Sequence, residues 1–310
     1  MSRFVLAYRI GMRMRPVELP NDLAELEELF QICHDADGHW PLGEHKYLSL
    51  IRSDNSSLIG IVVEEDDACG TLIGYGHLSP NRDDLGWGLE LAFHPLWRTG
   101  SFMEELVNAA VEAVRHEGGT SVRLWVFRLS VAGALADLGF NPERELRQLR
   151  CHLPLERQTA SLERFTVRPF VQAADEDAWI EVNNLAFEGH PENGSWNRQV
   201  LDNRFQQPWY DEKGFLMAWD GDDLAGFCWT KLHDGGMGEI YTIATHPQWQ
   251  GLGLGRALVV EGLWHLAVEY GCTIGMLYVD AANQRALRLY EGLGFWVDHI
   301  DRSFIRYLAV

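Results

Sequence analysis

Two side chains in the last third of the chain, Tyr290 and Glu239, are of types suited to donating and accepting protons. Tyr290 carries a phenol, whose unperturbed pKa of about 10 keeps it protonated at neutral pH and able to donate to a leaving group. Glu239 opens a strand-like run, Glu239 to Thr245, and is an isolated acid able to accept a proton directly or through water. A core tyrosine and a solvated strand end are the plainer alternatives for these two residues. Between them stands Gln250-x-x-Gly253-x-Gly255, after a strand-like run and before a helix-like one. Glycines without a Cβ let backbone approach a ligand, and a following helix aims its first N–H groups and positive dipole end at an anion. A dinucleotide fold would require G-x-G-x-x-G early in a βαβ unit, which is not this spacing.

The elements that position these residues follow in order. A strand, Met276 to Val279, ends at Asp280; Asn283 precedes a helix over Gln284 to Glu291; then come Leu293-Gly294-Phe295 and a strand at Trp296-Val297. From Gly238 to Tyr307 the chain resembles the GNAT family of N-acetyltransferases. The resemblance lies in the Q-x-x-G-x-G turn, the helix with Asn283, Ala286 and Tyr290, and the terminal Leu-Gly-Phe. It implies acetyl-CoA as co-substrate, with no metal. Main-chain groups of Ile243, Ala244 and Thr245 would pair with the pantetheine and thioester, beside a bulge that splays this strand from the next. The turn Gln250, Gly251, Leu252, Gly253, Leu254, Gly255 and Arg256 would hold the pyrophosphate, joined by Asn283, Gln284, Arg285, Ala286, Leu287 and Arg288. Tyr290 would be the acid and Glu239 the base. Asn283 also suits a helix N-cap. Gly251 departs from the family, which often has arginine there, so one side-chain contact to phosphate is expected to be missing.

Composition narrows the partners. The 310 residues include 45 acidic against 26 basic ones, a net charge of −19. Such a balance opposes nucleic-acid binding, which needs clustered Lys and Arg, and suits a small amine substrate. No apolar run approaches the roughly 18 residues of a membrane span, and no cleavable leader is evident. Five cysteines are scattered singly, without metal spacing, which speaks for a cytoplasmic protein without a disulfide framework. Cys228 and Cys272 lie in apolar runs and read as buried rather than nucleophilic. His34-Asp35-Ala36-Asp37-Gly38-His39 is too short for a calcium loop and reads as a solvated turn. A monomer is expected.

The chain also repeats itself. His94-Pro95 and His246-Pro247 each follow a strand and precede a tryptophan, a glycine and an amphipathic helix; Leu138-Gly139-Phe140 and Leu293-Gly294-Phe295 close the two copies. One period of half the chain means two domains rather than a solenoid. The expected fold class is α/β: two tandem GNAT-like domains, each a mixed, mostly antiparallel sheet flanked by helices. Residues 1–155 would form the N-terminal domain and 163–310 the catalytic C-terminal one, separated by the polar stretch from Pro154 to Glu163. Each copy restarts with a strand (Met12 to Pro16, Phe165 to Phe170) and a helix (Leu23 to Cys33, Asp175 to Phe187). The first copy is degenerate. Its turn, Arg98-Thr99-Gly100-Ser101-Phe102, lacks the second glycine, Leu135 stands where Tyr290 does, and Arg128 matches Asn283. It is expected to be non-catalytic.

A closer resemblance, specific over residues 165–307, is to tandem members of the family that acetylate the cysteinyl amine of a glucosaminyl-inositol. It is carried by 183–192 (Asn-Asn-Leu-Ala-Phe-Glu-Gly-His-Pro-Glu), Phe227-Cys228-Trp229-Thr230-Lys231 and Gly238-Glu239-Ile240-Tyr241. It implies that Glu44, Glu192, Lys231, Glu239 and Tyr278 contact the acceptor. The alternatives are another small amine (an antibiotic or polyamine), a protein N-terminus, or a non-catalytic acyl-CoA-binding protein.

Overall fold

The computed structural model describes residues 8–9, 11–52, 58–66, 70–81, 85–98, 100–126, 132–156, 162–188, 196–233 and 235–308. Two compact units form: Met1–Arg144 with Asp301–Val310, and Glu145–Ile300. The first copy contributes β1 (Tyr8–Arg9), β2 (Met12–Pro16), α1 (Leu23–Asp37), α2 (Glu44–Arg52), β3 (Ile59–Glu65), β4 (Leu72–Pro80), β5 (Gly86–Phe93), α3 (Gly100–His116), β6 (Ser121–Val126), α4 (Ala132–Asp137) and β7 (Asn141–His152). The second repeats the order from β2 onward as β8 (Thr166–Pro169), α5 (Glu176–Ala186), α6 (Arg198–Phe205), β9 (Phe215–Asp220), β10 (Asp223–Leu232), β11 (Met237–Thr245), α7 (Leu254–Tyr270), β12 (Ile274–Asp280), α8 (Gln284–Glu291) and β13 (Trp296–Tyr307).

The sheets close in a way that the repeat does not announce. In unit 1, β2 to β6 pair in sequence order, and β6 then takes the end of β13, with Arg302 opposite Val126 and Tyr307 opposite Ser121. In unit 2, β8 to β12 pair in sequence order, and β12 takes β7, from Leu146 opposite Asp280 to His152 opposite Ile274. Each sheet thus ends on a strand encoded in the other copy. The units therefore divide inside β7 and β13 rather than in the polar stretch at 154–163. Among the described residues, β5–β6 and β11–β12 are the parallel pairs, so the mixed, mostly antiparallel sheet is present in each unit.

Local signals explain the shared elements. His94 and His246 each accept a hydrogen bond on Nδ1 from the N–H two residues on, 3.3 and 3.2 Å, starting a 3-10 turn whose next residue is proline. Gly139 and Gly294 take positive φ (78° and 84°), and the Phe140 and Phe295 N–H groups reach back to Leu135 and Tyr290 carbonyls. The Leu-Gly-Phe motif is therefore a helix stop, with the left-handed residue that only glycine adopts cheaply. Arg15 forks onto Asp22 (2.7 and 2.9 Å), and Arg168 onto Asp175 (2.6 and 2.8 Å), locking each first strand to the start of its first helix.

Two sequence expectations are corrected. The stretch from His34 to Asp37 is the last turn of α1, ended by Gly38 at φ 75°, not a solvated turn. α7 is not amphipathic: Leu254, Ala257, Leu258, Val259, Val260, Leu263 and Leu266 are buried round most of its circumference, because it packs in the main core of unit 2. That core holds Leu149, Cys228, Ile240, Leu277 and Tyr290; the opposite sheet face carries an aromatic core of Phe170, Trp179, Phe215, Phe227 and Trp229 under α5. Among the described residues, no helix is long and apolar enough to cross a membrane.

Candidate active site

β11 is interrupted where the chemistry is expected. Trp229 faces Thr242 but the next β10 residue, Thr230, faces Ile240, so Tyr241 is an extra residue, a β-bulge. On its other side, β11 pairs with β12 only from Met237 opposite Ile274 to Ile240 opposite Leu277. Beyond that point both strands continue, to Thr245 and Asp280, outside the ladder. The sheet opens there, and Ile243, Ala244 and Thr245 form one lip of the opening. Thr242 Oγ1, buried at the bulge, has no hydrogen-bond partner among the described residues. A buried hydroxyl left so is costly, and a polar ligand in the opening would relieve it.

The turn after β11 is prepared for an anion. Gly251 and Gly253 take φ of 85° and 80°, Gly253 is the N-cap of α7, and among the described residues no side chain caps that helix. Its first N–H groups therefore point into the turn, and a Cβ added to Gly251 would meet nothing within 4 Å. Arg285 Nη1 donates to Gln250 Oε1 at 2.7 Å, which brings a cation from α8 to the turn where Gly251 supplies none. Arg256 instead donates to the Gly292 carbonyl at 3.1 Å, tying α7 to the end of α8. Asn283 is the N-cap of α8, its Oδ1 accepting from Ala286 N at 3.1 Å.

Tyr290 sits on α8, 8% exposed, with its ring centroid 5.6 Å from that of Phe295. Burial, assisted by the nearby Cys228, raises its phenol above the ordinary range, so it stays protonated. Glu239 is 7% exposed and lies directly opposite Lys231 in the β10–β11 ladder, so the two share the face of the aromatic core. Lys231 Nζ lies over the rings of Trp209 and Tyr241, at 4.7 and 5.4 Å. Tyr241, the bulge residue, accepts a 2.7 Å hydrogen bond from Arg204 Nε. Tyr278, two residues beyond the partner of Glu239 on β12, falls on the same face, 42% exposed. One sheet face thus gathers Lys231, Glu239, Tyr241 and Tyr278, while Tyr290 belongs to the core on the other. Of the remaining acceptor candidates, Glu44 is the first residue of α2 in unit 1, and Glu192 lies outside the described residues.

Several contributors escaped the sequence. Gln148, from the exchanged strand β7, donates to the Tyr278 hydroxyl at 2.7 Å. Trp209 and Arg204 come from the α6 region, where no motif marked them. His233 Nε2 lies 2.5 Å from Glu239 Oε2. Among the described residues, Cys33, Cys151, Cys228 and Cys272 are buried and free, and burial raises each thiol, Cys151 to about 12; Cys69 lies outside them.

Unit 1 lacks these arrangements at the equivalent positions. Its β4–β5 ladder runs without a register shift from Gly74 opposite Phe93 to Pro80 opposite Trp87. Gly88 stands where Glu239 does, and Leu135, fully buried, where Tyr290 does. Arg98, at the position of Gln250, is held by both Asp37 carboxylate oxygens, each at 2.6 Å, and by the Phe93 carbonyl. Phe102 packs on Trp97 at 5.6 Å. Arg128 lies outside the described residues.

The sequence model of the acetyltransferase (GNAT) family matches residues 23–140 and 178–295. A mycothiol acetyltransferase of Acidimicrobium ferrooxidans is 41% identical over 293 residues, 91% of this chain and 92% of the relative. Its namesake in Salinispora arenicola is 38% identical, covering 91% and 93%. A tandem GNAT protein from the clavulanic acid biosynthesis pathway has the same fold at a TM-score of 0.74, with 15% identity over 96% of this chain and 99% of the other. A GCN5-related N-acetyltransferase from Sphaerobacter thermophilus gives 0.69, with 22% identity over 96% and 95%.

Proposed function

The chain belongs to the GNAT family of acetyltransferases, and from that premise we propose that its second unit acetylates the cysteinyl amine of 1D-myo-inositol 2-(L-cysteinylamino)-2-deoxy-α-D-glucopyranoside, yielding mycothiol. It is an acetyl-CoA-dependent N-acetyltransferase. The observation that carries the assignment to unit 2 is the opened sheet beside the bulge at Tyr241, with Glu239 at its edge and the glycine turn at its end.

In this scheme the N–H groups of Gly253 to Arg256 and the Arg285 guanidinium receive the pyrophosphate. Main-chain groups of Ile243 to Thr245 hold the thioester arm and polarise its carbonyl. Glu239 takes a proton from the amine, which then attacks; a cysteinyl α-amine, with a model value of about 7.7–8.0, is already partly neutral near pH 7. Tyr290 donates to the departing sulfur. Lys231, Tyr241 and Tyr278 supply polar and aromatic contacts to a hydroxyl-rich acceptor. Such convergent groups discriminate strongly, since a wrong substrate leaves them unpaired.

The decisive experiment measures thiol release from acetyl-CoA with four acceptors: the cysteinyl-glucosaminyl-inositol, spermidine, an aminoglycoside and a peptide N-terminus. We expect the first to exceed the others in kcat/KM by at least about 10²-fold. Equal or better turnover of any other acceptor would overturn the acceptor while leaving the acetyltransferase intact.

A further inference from the structure

On the premise that Glu239 is the base of the proposed reaction, we propose that His233 is its positioning residue, fixing one carboxylate oxygen so that the other faces the amine. Glu239 is 7% exposed, and a buried carboxylate needs a donor. Among the described residues, the group that hydrogen-bonds it is the His233 imidazole, Nε2 to Oε2 at 2.5 Å. An ionised carboxylate only accepts, so its presence assigns the proton to Nε2. Oε2 is thereby tied, and Oε1 keeps its lone pairs for the acceptor.

His233 is held for this task by the backbone of its own hairpin. Its N–H donates to the Met237 carbonyl at 2.9 Å, and its carbonyl accepts from Gly236 N at 3.2 Å. Gly235 and Gly236 take φ of 83° and 78°, and with His233 paired to Met237 its ring shares a sheet face with Glu239, two residues on along β11. Lys231 faces Glu239 across the ladder, but its ammonium lies over Trp209 and Tyr241. Unit 1 supplies an internal comparison. Its equivalent hairpin, closed by the Asn81 N–H to the Gly86 carbonyl at 2.8 Å, carries Asn81 and Gly88 at the positions of His233 and Glu239. The His–Glu pair occurs in the copy that also has Tyr290, and the copy with Leu135 has neither member.

The test is a double-mutant cycle on the full chain with acetyl-CoA and the cysteinyl acceptor, each variant checked for an unchanged melting temperature. His233→Leu should lower kcat by about 10–100-fold, the scale of a hydrogen bond to a charged group, with KM for acetyl-CoA unchanged. His233→Gln, which keeps an N–H donor, should restore most of that loss. On a Glu239→Gln background, His233→Leu should cost no more than about twofold, because its partner is gone. Native turnover by His233→Leu, equal loss in His233→Gln, or full additivity with Glu239→Gln would each overturn the inference. Native turnover by Glu239→Gln alone would instead remove the base on which it depends.

Discussion

Replacing Tyr290 by phenylalanine removes one oxygen and leaves the packing. The ring keeps its place 5.6 Å from Phe295 in a site only 8% exposed, so melting should shift by less than about 1 kcal/mol equivalent. Burial holds this phenol above its ordinary value of about 10, while a thiol titrates near 8.5. Complete proton transfer to a thiolate is therefore uphill by at least about 1.5 units, or roughly 2 kcal/mol. The hydroxyl must act mainly as a hydrogen-bond donor to sulfur as charge develops, with transfer completed late. That argues for the low end of general-acid contributions, about 10²-fold in kcat or ~2.7 kcal/mol. KM for acetyl-CoA should hardly move, since the interaction strengthens only in the transition state. The assay is steady-state thiol release between pH 6 and 9, where the native enzyme should show no alkaline loss traceable to Tyr290. A Tyr290→Phe enzyme within about threefold of native kcat would refute the role and leave tyrosine as core packing.

Gly255→Val places a side chain in the first turn of α7, where even a Cβ would stand 3.2 Å from Thr245 Oγ1; calorimetry should find acetyl-CoA binding lost while circular dichroism stays native. Arg168 and the Val171 N–H outweigh burial to hold Asp175 below the ordinary carboxylate range, and Arg15 does the same for Asp22. Because both folded values are depressed, these pairs stabilise the protein above the unfolded value of about 3.9 and lose that contribution as pH falls through the folded values. Denaturant melts from pH 6 to 3 should therefore show Asp175→Asn less stable at pH 6 but less acid-sensitive; parallel pH curves for variant and native would contradict this.

Short-range features were legible in the residues themselves. The glycine turn, the Asn283 cap, α8, β2 and the Leu-Gly-Phe helix stops all depend on φ sign, capping groups and hydrophobic period within a few positions, which local sequence encodes. The degeneracy of the first copy was legible too, because a missing glycine and a leucine in place of tyrosine are chemical facts. Long-range pairing was not. β7 and β13 follow the same Leu-Gly-Phe motif and have the same pairing capacity, so nothing local says which sheet each closes; the folded chain joins β13 to β6 and β7 to β12, and so delivers Gln148 to Tyr278. The bulge at Tyr241 depends on the register between β10 and β11, a property of two strands rather than of either. His233 reads as an ordinary hairpin residue until its pairing with Met237 sets its ring against Glu239, a contact across six positions that depends on the register of two strands.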